Sequence, residues 1–433
     1  MTHSEQNLGG RNAAPSTFLP TALVLVMLVL IAKHVQWALA YADDYSMYSV
    51  SDWLINYEAG FVRRGLLGQL LFDAYQLWPF NVRVFILSLP LVFSPLLFAL
   101  LFKVFYKEGW PPTVVFTVCC MGAFSFSPAV RRDYLVLIMA GLIFFLVSRW
   151  LSTKGRGRRT ALFVAFTMLS FVLVLCYEPA VFIAFPLLFL AVKKEYGLRR
   201  TLLLAMPVVF VCAVVFLSRG GTAMAETIWQ SWSPCFQRFP FPGGDGSVGL
   251  GVGALGWDML PTFSFHLRMA YIGTDPLWLT ALLIVYMLAG TYYLVVNLDV
   301  AMIPFWPKLP AHAATTPPFG HPYVFDARGM GNVLLLQFLA MLPMFTVLSC
   351  DWGRNICLCT VSTFFLLHFF PNATALLPYI DKVTTRLLPI FGRFRLFRSP
   401  LFYVFVALTV PMPLSEAPRL ADSVVGIFLI LLS

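Results

Sequence analysis

The chain is a succession of apolar runs separated by short polar connections. Most runs are about 15 to 25 residues long, and a helix of about 20 apolar residues spans the hydrocarbon core of a bilayer. The runs cover 18–40, 82–106, 112–128, 134–151, 161–177, 180–192, 201–217, 277–298, 333–350, 356–370 and 400–414. This pattern predicts an all-α, polytopic integral membrane protein with about 11 transmembrane helices.

The composition agrees with that pattern. Hydrophobic residues make up 59% of the 433 residues and charged residues 12%, with a mean hydropathy of +0.80. A soluble globular domain carries about 25% charged residues. A soluble fold cannot hide so much apolar surface, so an ordinary soluble enzyme, a disordered chain and a small disulfide scaffold are all excluded.

The basic residues assign each connection to one side of the membrane. Lysines and arginines are concentrated at 103–107, 149–160, 193–200 and 382–398, and an excess of these residues marks the cytoplasmic side. This predicts a cytoplasmic N-terminus. The first predicted part is a cytoplasmic tail at 1–17. It is followed by a transmembrane core at 18–217, which includes a catalytic outer loop at 41–81. A second outer loop at 218–276 and a group of C-terminal helices at 277–433 complete the chain.

The first outer loop has a pattern of its own. Ser49 and Asp52 resemble a capping box, which predicts the start of a short helix. From Phe61 to about Trp78, leucines alternate with charged and amide residues at helical spacing. Such a segment is typical of an amphipathic helix that lies on the membrane surface, so we expect one on the outer face directly after the first span.

Ionisable residues gather in four outer segments that share one side under this topology. They are Asp43, Asp44, Glu58, Arg63 and Arg64 in the first loop, then Arg131, Arg132 and Asp133, then Glu178, and finally Asp351 and Arg354. Ionisable groups at the membrane edge are costly and usually functional. We therefore expect the four segments to converge on one site although they lie far apart in sequence.

Each segment also has a purely structural interpretation. Arg131–Asp133 fits an interfacial anchor with its own salt bridge, and Glu178 before a proline fits a helix end. Asp351 and Arg354 are three residues apart, so they fit a local pair on one helix face. The first loop as a whole fits a solvated amphipathic surface. The sequence alone leaves these alternatives open.

Arginine is the residue type that points to a phosphate ligand. Its planar guanidinium grips two phosphate oxygens and stays charged at every relevant pH. The predicted substrate-binding residues are Arg63, Arg64, Arg131, Arg132, Arg354, Glu178 and Asp351. The sequence has no spacing of cysteine and histidine that is typical of a metal site. We therefore expect no cofactor, and a divalent cation beside the carboxylates stays an open alternative.

A carboxylate near an acceptor hydroxyl can act as a general base. The candidate catalytic residues are Asp44, Asp43, Glu58 and Asp133. Asp44 is the first choice because it closely follows the first span, where a lipid-borne group would be presented. Asp52 and Asp73 lie on the predicted surface helices, and we expect both to be solvated.

The second outer loop is rich in aromatic residues and glycine. Its tryptophans and phenylalanines suit either stacking on sugar rings or contact with the membrane interface, and the sequence does not separate the two. Gly251–Gly256 matches the spacing of a dinucleotide-binding loop, but no strand precedes it, as that mechanism requires. We expect a flexible glycine loop there.

This layout resembles the GT-C superfamily of polyprenyl-linked sugar transferases. Asp43 and Asp44 follow the first span, and Asp133 lies in the next outer loop, where these enzymes carry acidic residues. The stretches Phe61–Leu66 and Asp351–Arg354 look like those of bacterial polysaccharide-locus membrane proteins, and O-antigen polymerases are similar in their outer-face arginines. The resemblance covers the layout of about the first 220 residues.

The resemblance implies a glycosyltransferase or glycan polymerase in the bacterial inner membrane. Its substrates would be a polyprenyl-phosphate or polyprenyl-diphosphate sugar donor and a glycan acceptor at the periplasmic face, in cell-surface polysaccharide synthesis, with the bilayer but no nucleic acid as further partner. The alternatives are a transporter or flippase of an anionic or lipid-linked substrate and a structural assembly subunit. Charges at one face, rather than paired mid-span breaks, favour the transferase.

Overall fold

The computed structural model describes residues 48–107, 132–218, 220–240, 247–257, 277–296, 327–344, 352–375 and 399–409. Within these ranges every regular element is a helix. The predicted spans at 18–40 and 112–128 lie outside the described residues, so the total of about 11 spans stays a prediction. The all-α class is confirmed for the described part of the chain.

The helices fall into membrane-length elements and shorter elements. The first part contains α1 (Tyr48–Ser51), a 3₁₀ turn (Asp52–Leu54), α2 (Gly65–Leu77), α3 (Val82–Lys107), α4 (Asp133–Ser152), α5 (Arg156–Cys176), α6 (Ala180–Tyr196) and α7 (Leu198–Leu217). The second part contains α8 (Thr222–Ser231), α9 (Ser233–Arg238), α10 (Leu250–Gly253), a 3₁₀ turn (Ala254–Gly256), α11 (Leu277–Val296), α12 (Ala327–Ala340), α13 (Trp352–Phe369), a 3₁₀ turn (Pro371–Ala375) and α14 (Pro400–Thr409).

Four of these helices are long and apolar enough to cross a bilayer. They are α3 over Val82–Leu101, α4, α5 and α7, each with 20 or 21 residues and a mean hydropathy between 2.1 and 2.5. Shorter apolar stretches lie in α11, α12 and α13. These lengths match the thickness of a hydrocarbon core and indicate a membrane protein.

The helices α4 to α7 alternate in direction, so the two ends of the bundle differ in chemistry. Asp133 begins α4 and Arg149 lies in its last turn, whereas α5 begins with Arg156 and ends beside the carboxylate of Glu178. The next hairpin repeats this order, because α6 ends with two lysines and α7 begins beside two arginines. One end of these four helices therefore has both acidic residues and arginines. The opposite end has basic residues and a single acidic residue, Glu195.

A buried apolar core holds the bundle together. Large, fully buried members of this core include Phe144 on α4, Phe166 on α5, Phe185 on α6 and Phe364 on α13. The helices α4 and α13 pack closely at Gly141, where a Cβ would lie in ordinary van der Waals contact, 3.6 Å from the ring of Phe365. Close packing of this kind fixes the helix ends that carry the charged residues.

A hydrogen bond from α12 repairs an interruption in α6. Pro186 has no N–H to donate to the Phe182 carbonyl one turn earlier, so that acceptor is left without its helical partner. The side-chain amide of Gln337 donates to the Phe182 oxygen at 3.1 Å and to the Ile183 oxygen at 2.8 Å. Gln337 is 1% exposed, so these bonds satisfy backbone groups that have no access to water.

The two segments that are predicted to be outer loops pack on each other as a single cap. Trp232, the residue directly before α9, is fully buried, and its indole N–H donates to the Leu54 carbonyl at 2.8 Å. Its ring packs edge to face on Phe72 of α2. The Gly251 amide donates to the Ser51 hydroxyl at 2.8 Å. We refer to residues 48–81 together with 220–257, as far as they are described, as the cap.

Two expectations for the cap are corrected by its structure. Residues 250–256 form a helical turn and a 3₁₀ turn packed against α1 and α8, not a flexible loop. Trp229 and Trp232 belong to the core of the cap, so neither sugar stacking nor interface contact explains them. A helix in the predicted amphipathic segment is confirmed as α2, although it begins at Gly65 rather than Phe61. Its location on the membrane surface after a first span stays a prediction.

Glycine is required where α2 crosses the start of the cap. A Cβ at Gly68 would lie 1.8 Å from the Ile55 carbonyl oxygen, and one at Gly65 would lie 2.2 Å from the ring of Tyr57. Any larger residue would push α2 away from the segment before it. These two contacts set the position of the N-terminus of α2, where the charged residues lie.

Candidate functional site

Seven charged side chains from the four predicted segments meet where the bundle touches the cap. We call them the arginine cluster, and they are Asp52, Arg63, Arg64, Arg132, Asp133, Glu178 and Arg354. They come from the 3₁₀ turn after α1, the start of α2, the starts of α4 and α13, and the connection between α5 and α6. The directions of α4, α5 and α6 bring their charged ends together, and α2 and α13 begin at the same place.

The strongest pair of the cluster joins α4 to α13. Arg354 donates through Nε to one oxygen of Asp133 at 2.7 Å and through Nη2 to the other at 2.6 Å. The side chain of Asp133 is 1% exposed and that of Arg354 is 15% exposed. A two-bond pair of this kind has both the distance and the planar geometry that arginine and carboxylate favour.

A second pair joins the cap to the connection between α5 and α6. Arg64 donates through Nε to Glu178 at 2.6 Å, and its Nη1 lies 3.6 Å from Asp52. The guanidinium of Arg64 lies over the ring of Tyr177 at 5.6 Å from its centroid, and that of Arg354 lies over the same ring at 5.1 Å. Because cations are attracted to an aromatic face, Tyr177 links the two ion pairs into one unit.

Arg132 is the structural centre of the cluster. Its Nη1 donates to the Arg64 carbonyl at 3.0 Å and to the Cys176 carbonyl. Its Nη2 donates to the Asp52 carbonyl, and its Nε lies 3.4 Å from the carboxylate of the same residue. The guanidinium also stacks on Trp53 at 5.4 Å. Its side chain has no exposed surface, so Arg132 ties three segments together and is inaccessible to a lipid-sized ligand.

Arg64 holds a backbone conformation that its residue type disfavours. Its φ is 62°, and it is the only non-glycine residue with a positive φ in the described part of the chain. A left-handed residue other than glycine costs about 1–2 kcal/mol. The strain persists because this conformation aims both the side chain at Glu178 and the carbonyl at Arg132, and strained residues of this kind concentrate at functional sites.

Arg63 is the accessible member of the cluster. Its side chain is 39% exposed, its Nη2 donates to the Ala254 carbonyl at 3.1 Å, and its Nη1 lies 3.9 Å from Glu178. Arg63 is therefore the arginine of the cluster that is most accessible to an anion.

Burial and charge act in opposite directions on the Glu178 carboxyl. Burial raises its pKa, but the adjacent Arg64, which also donates a hydrogen bond to it, and then Arg63 outweigh that effect and hold the pKa below its usual value. Glu178 is therefore ionised at neutral pH. Burial raises the pKa of Tyr57 to about 12, so the phenol beside the cluster stays protonated.

An apolar cleft of about 790 Å³ adjoins the cluster. It lies between α2 and α3, and its lining includes Trp53, Leu70, Ala74, Val84, Phe85 and Leu135. The two polar side chains in its wall are satisfied locally, because Ser88 donates to the Phe85 carbonyl and Asn81 accepts from the Val84 amide. Trp53 lines the cleft and also stacks on Arg132, so one side chain separates the cleft from the buried centre of the cluster.

The structure brings together six of the predicted site residues, namely Arg63, Arg64, Arg132, Asp133, Glu178 and Arg354. Glu58 is exposed on the cap. Asp43, Asp44, Arg131 and Asp351 lie outside the described residues, so their predicted roles stay predictions. Arg354 bonds to Asp133, which lies in a distant segment of the chain.

One carboxylate was predicted wrongly. Asp52 was expected to be solvated, but it is 7% exposed and lies between Arg64 and Arg132. The error arises because Trp232 and Gly251, from the other half of the cap, pack on the segment that contains Asp52. Asp73 is exposed, as expected, and accepts a hydrogen bond from Gln69 at 2.8 Å. Tyr177 and Trp53 had no signal in the sequence beyond their position next to charged residues.

Among the described residues, histidine, cysteine, aspartate and glutamate form no group of three that could hold a metal ion. Comparisons with known protein families, with curated proteins and with solved structures find no match to this chain. The fold and the geometry of the cluster are therefore the basis for a functional conclusion.

Proposed function

We propose that this protein is a membrane glycosyltransferase or glycan polymerase that uses a polyprenyl-phosphate or polyprenyl-diphosphate sugar donor. The observation that carries the proposal is that the arginine cluster and the apolar cleft share one side chain, that of Trp53. A lipid-linked donor needs a cationic site for its phosphate directly beside an apolar site for its chain. Trp53 forms that border, because it touches both.

Arg63 and Arg64 are the residues best placed to hold the phosphate. Arg63 is the most exposed arginine of the cluster, and Arg64 is held beside it in a fixed backbone conformation. Arg132 and Arg354 have their donors directed to carbonyls and to Asp133, so they act as positioning residues. Donors already fixed in place stabilise negative charge as it develops on a leaving phosphate.

The transfer itself requires a base and no cofactor. The acceptor hydroxyl oxygen bonds to the anomeric carbon, the bond from that carbon to the phosphate oxygen breaks, and the phosphate leaves with the electron pair. A carboxylate takes the hydroxyl proton. Asp133 is a poor candidate because both of its oxygens are bonded to Arg354, which leaves Asp44, Asp43 and Glu58, with Asp44 preferred.

The proposal includes a place for the reaction. With the basic ends of the helices in the cytoplasm, the cluster and the cap face the periplasm of a bacterial inner membrane, and the N-terminus is cytoplasmic. A donor flipped to that face would supply cell-surface polysaccharide synthesis. Single cysteines at Leu77 and Gly155, in a cysteine-free variant, test this: an impermeant thiol reagent should label the first position and spare the second in cells with a permeable outer membrane.

A transporter or flippase of an anionic or lipid-linked substrate is the second candidate. Proline interrupts α3 at Pro90 and Pro95 and α6 at Pro186, and interrupted helices often form the substrate sites of transporters. The charged side chains of the described membrane-length helices lie near helix ends, however, and not at their middle. Charged residues near the helix ends favour a transferase that acts at one face of the membrane over a transporter with a site at mid-membrane depth.

Binding of a lipid phosphate tests the proposal. Purified protein is titrated with polyprenyl phosphate and with the polyprenol of the same length, each carrying the same fluorophore. We expect the phosphate form to bind at least about tenfold more tightly, since a charge-assisted hydrogen bond contributes about 1.5–3 kcal/mol. Arg63→Ala should remove that preference, whereas Arg238→Gln on an exposed cap residue should not. Equal binding of the two lipids would contradict the proposal.

A further inference from the structure

The end of the bundle opposite the arginine cluster carries a second concentration of charge. Nine lysines and arginines lie at this end between residues 149 and 200, in the last turns of α4 and α6, the first turns of α5 and α7 and the connections between them. Glu195 is the one carboxylate among them, because Glu178 lies at the other end. We call this surface the basic end.

Most of these cations point to solvent. Arg156, Arg158 and Arg199 are exposed, as are Lys193 and Lys194. The first turns of α5 and α7 contain no acidic residue, although carboxylates are the side chains that the positive end of a helix favours. Like charges concentrated in this way repel one another, so the basic end is complementary to an anion and not to itself.

Two of the guanidinium groups are oriented by aromatic rings. Arg159 stacks on Trp150 at 4.6 Å and Arg200 stacks on Tyr196 at 5.4 Å. Tryptophan and tyrosine at the ends of membrane helices mark the headgroup level of the bilayer. The stacked arginines are therefore held at the depth where phosphates of lipid headgroups lie, with their forks already ordered.

The basic end continues directly into an apolar surface. On α7, Leu198, Leu202, Leu203 and Met206 are between 44% and 68% exposed, immediately after or beside the arginines of its first turn. A nucleic acid or an acidic protein would bring charge but nothing for this apolar surface. A phospholipid brings both, since its anionic headgroup is joined to hydrocarbon chains.

We propose that the basic end binds the phosphodiester headgroups of anionic phospholipids, with the lipid chains on the exposed face of α7. This surface lies at the far end of the bundle from the arginine cluster, so the proposal does not depend on the function assigned to that cluster. A juxtamembrane arginine contributes about 1 kcal/mol to such an attraction, which corresponds to about fivefold in affinity for each residue.

The test measures the affinity of purified protein for fluorescent phosphatidylglycerol in detergent micelles. Wild-type protein should prefer phosphatidylglycerol to phosphatidylcholine. The triple variant Arg156→Gln, Arg158→Gln, Arg199→Gln should lose roughly a hundredfold in phosphatidylglycerol affinity, and Arg238→Gln on the cap should lose none. If the triple glutamine variant does not fold, the triple lysine variant provides the test: it should keep the preference for the anionic lipid with weaker binding, because lysine keeps the charge and loses the fork.

Competition separates the sources of an anion. Inorganic phosphate and a short single-stranded RNA are titrated against the bound phosphatidylglycerol at the same ionic strength. We expect neither to displace the lipid at equal phosphate concentration. Displacement by either would overturn the proposal in favour of a soluble anion or a nucleic acid, and unchanged lipid affinity in a folded triple variant would overturn it outright.

Discussion

Arg354 and Asp133 are 221 positions apart in the sequence and are joined by two hydrogen bonds of 2.7 and 2.6 Å. Each residue lies in the first turn of a helix, Asp133 in α4 and Arg354 in α13. The pair therefore fixes the relative position of two helix ends and, through the neighbouring Arg132, the position of the cap. Its burial means that neither charge can lose its partner without a large penalty.

Removing the carboxylate of this pair should destabilise the protein strongly. Asp133→Asn leaves the Arg354 guanidinium partly buried without its counter-charge, and breaking a buried pair in this way costs about 3–5 kcal/mol. The free energy of unfolding of the detergent-solubilised protein measures the effect. Asp73→Asn is the matched control, since Asp73 is exposed and should change stability by no more than about 0.5 kcal/mol. Equal effects of the two substitutions would contradict the assigned geometry.

The backbone strain at Arg64 predicts an unusual order of stabilities. Both Arg64→Gly and Arg64→Ala remove the ion pair with Glu178, but only glycine adopts a φ of 62° without strain. The glycine variant should therefore be more stable than the alanine variant by about 1 kcal/mol. At Arg63, where φ is not positive, the order should reverse. Thermal unfolding of the four variants gives the comparison, and the same order at both positions would show that Arg64 is not strained.

The bond from Gln337 to the interrupted helix predicts a coupling with Pro186. Gln337→Leu leaves the buried Phe182 carbonyl unsatisfied, which costs about 1–3 kcal/mol. In a Pro186→Ala background the alanine amide supplies the missing helical bond, so the same substitution at Gln337 should cost much less. A double-mutant cycle on unfolding free energies measures the coupling. Additive effects of the two substitutions would mean that the side-chain amide does not replace the helical bond.

The ion pair of Glu178 predicts a loss of stability in acid. The folded-state pKa of Glu178 is held below its ordinary value of 4.5, so the pair contributes fully above that pH, and its contribution disappears as the pH falls through the folded-state pKa. Unfolding midpoints should therefore separate wild type from Glu178→Gln by a constant amount above pH 4.5 and converge below it. A separation that widens in acid would have the wrong sign for a depressed pKa.

The sequence carries enough information to predict the helices and the face that holds the charges. The apolar runs at 82–106, 134–151, 161–177 and 201–217 lie within or closely overlap described helices, because bilayer thickness and helix rise together fix the length of a span. Alternation of the helices then places Asp133, Glu178 and Arg354 at the same end. That inference requires only the order of the elements.

The division of roles within the cluster could not be read from the sequence. Arg63 and Arg64 are adjacent and chemically identical, yet one is exposed and the other strained and paired. Asp52 looks like a residue on a wet helix face, and only the packing of the distant Trp232 and Gly251 on this segment shows that it is covered. These differences depend on long-range contacts, which local periodicity does not encode.

The most direct test of the proposed function is the release of the lipid carrier. Purified protein is incubated with the lipid-linked glycan fraction of its host membranes, and free polyprenyl phosphate and diphosphate are measured by mass spectrometry. We predict release by wild type, a decrease of about 10²–10⁴-fold in Asp44→Asn, a marked decrease in Arg63→Ala and full activity in Asp73→Asn. Intact lipid-linked glycans after incubation, together with their movement across the bilayer in reconstituted vesicles, would contradict a transferase and identify a transporter.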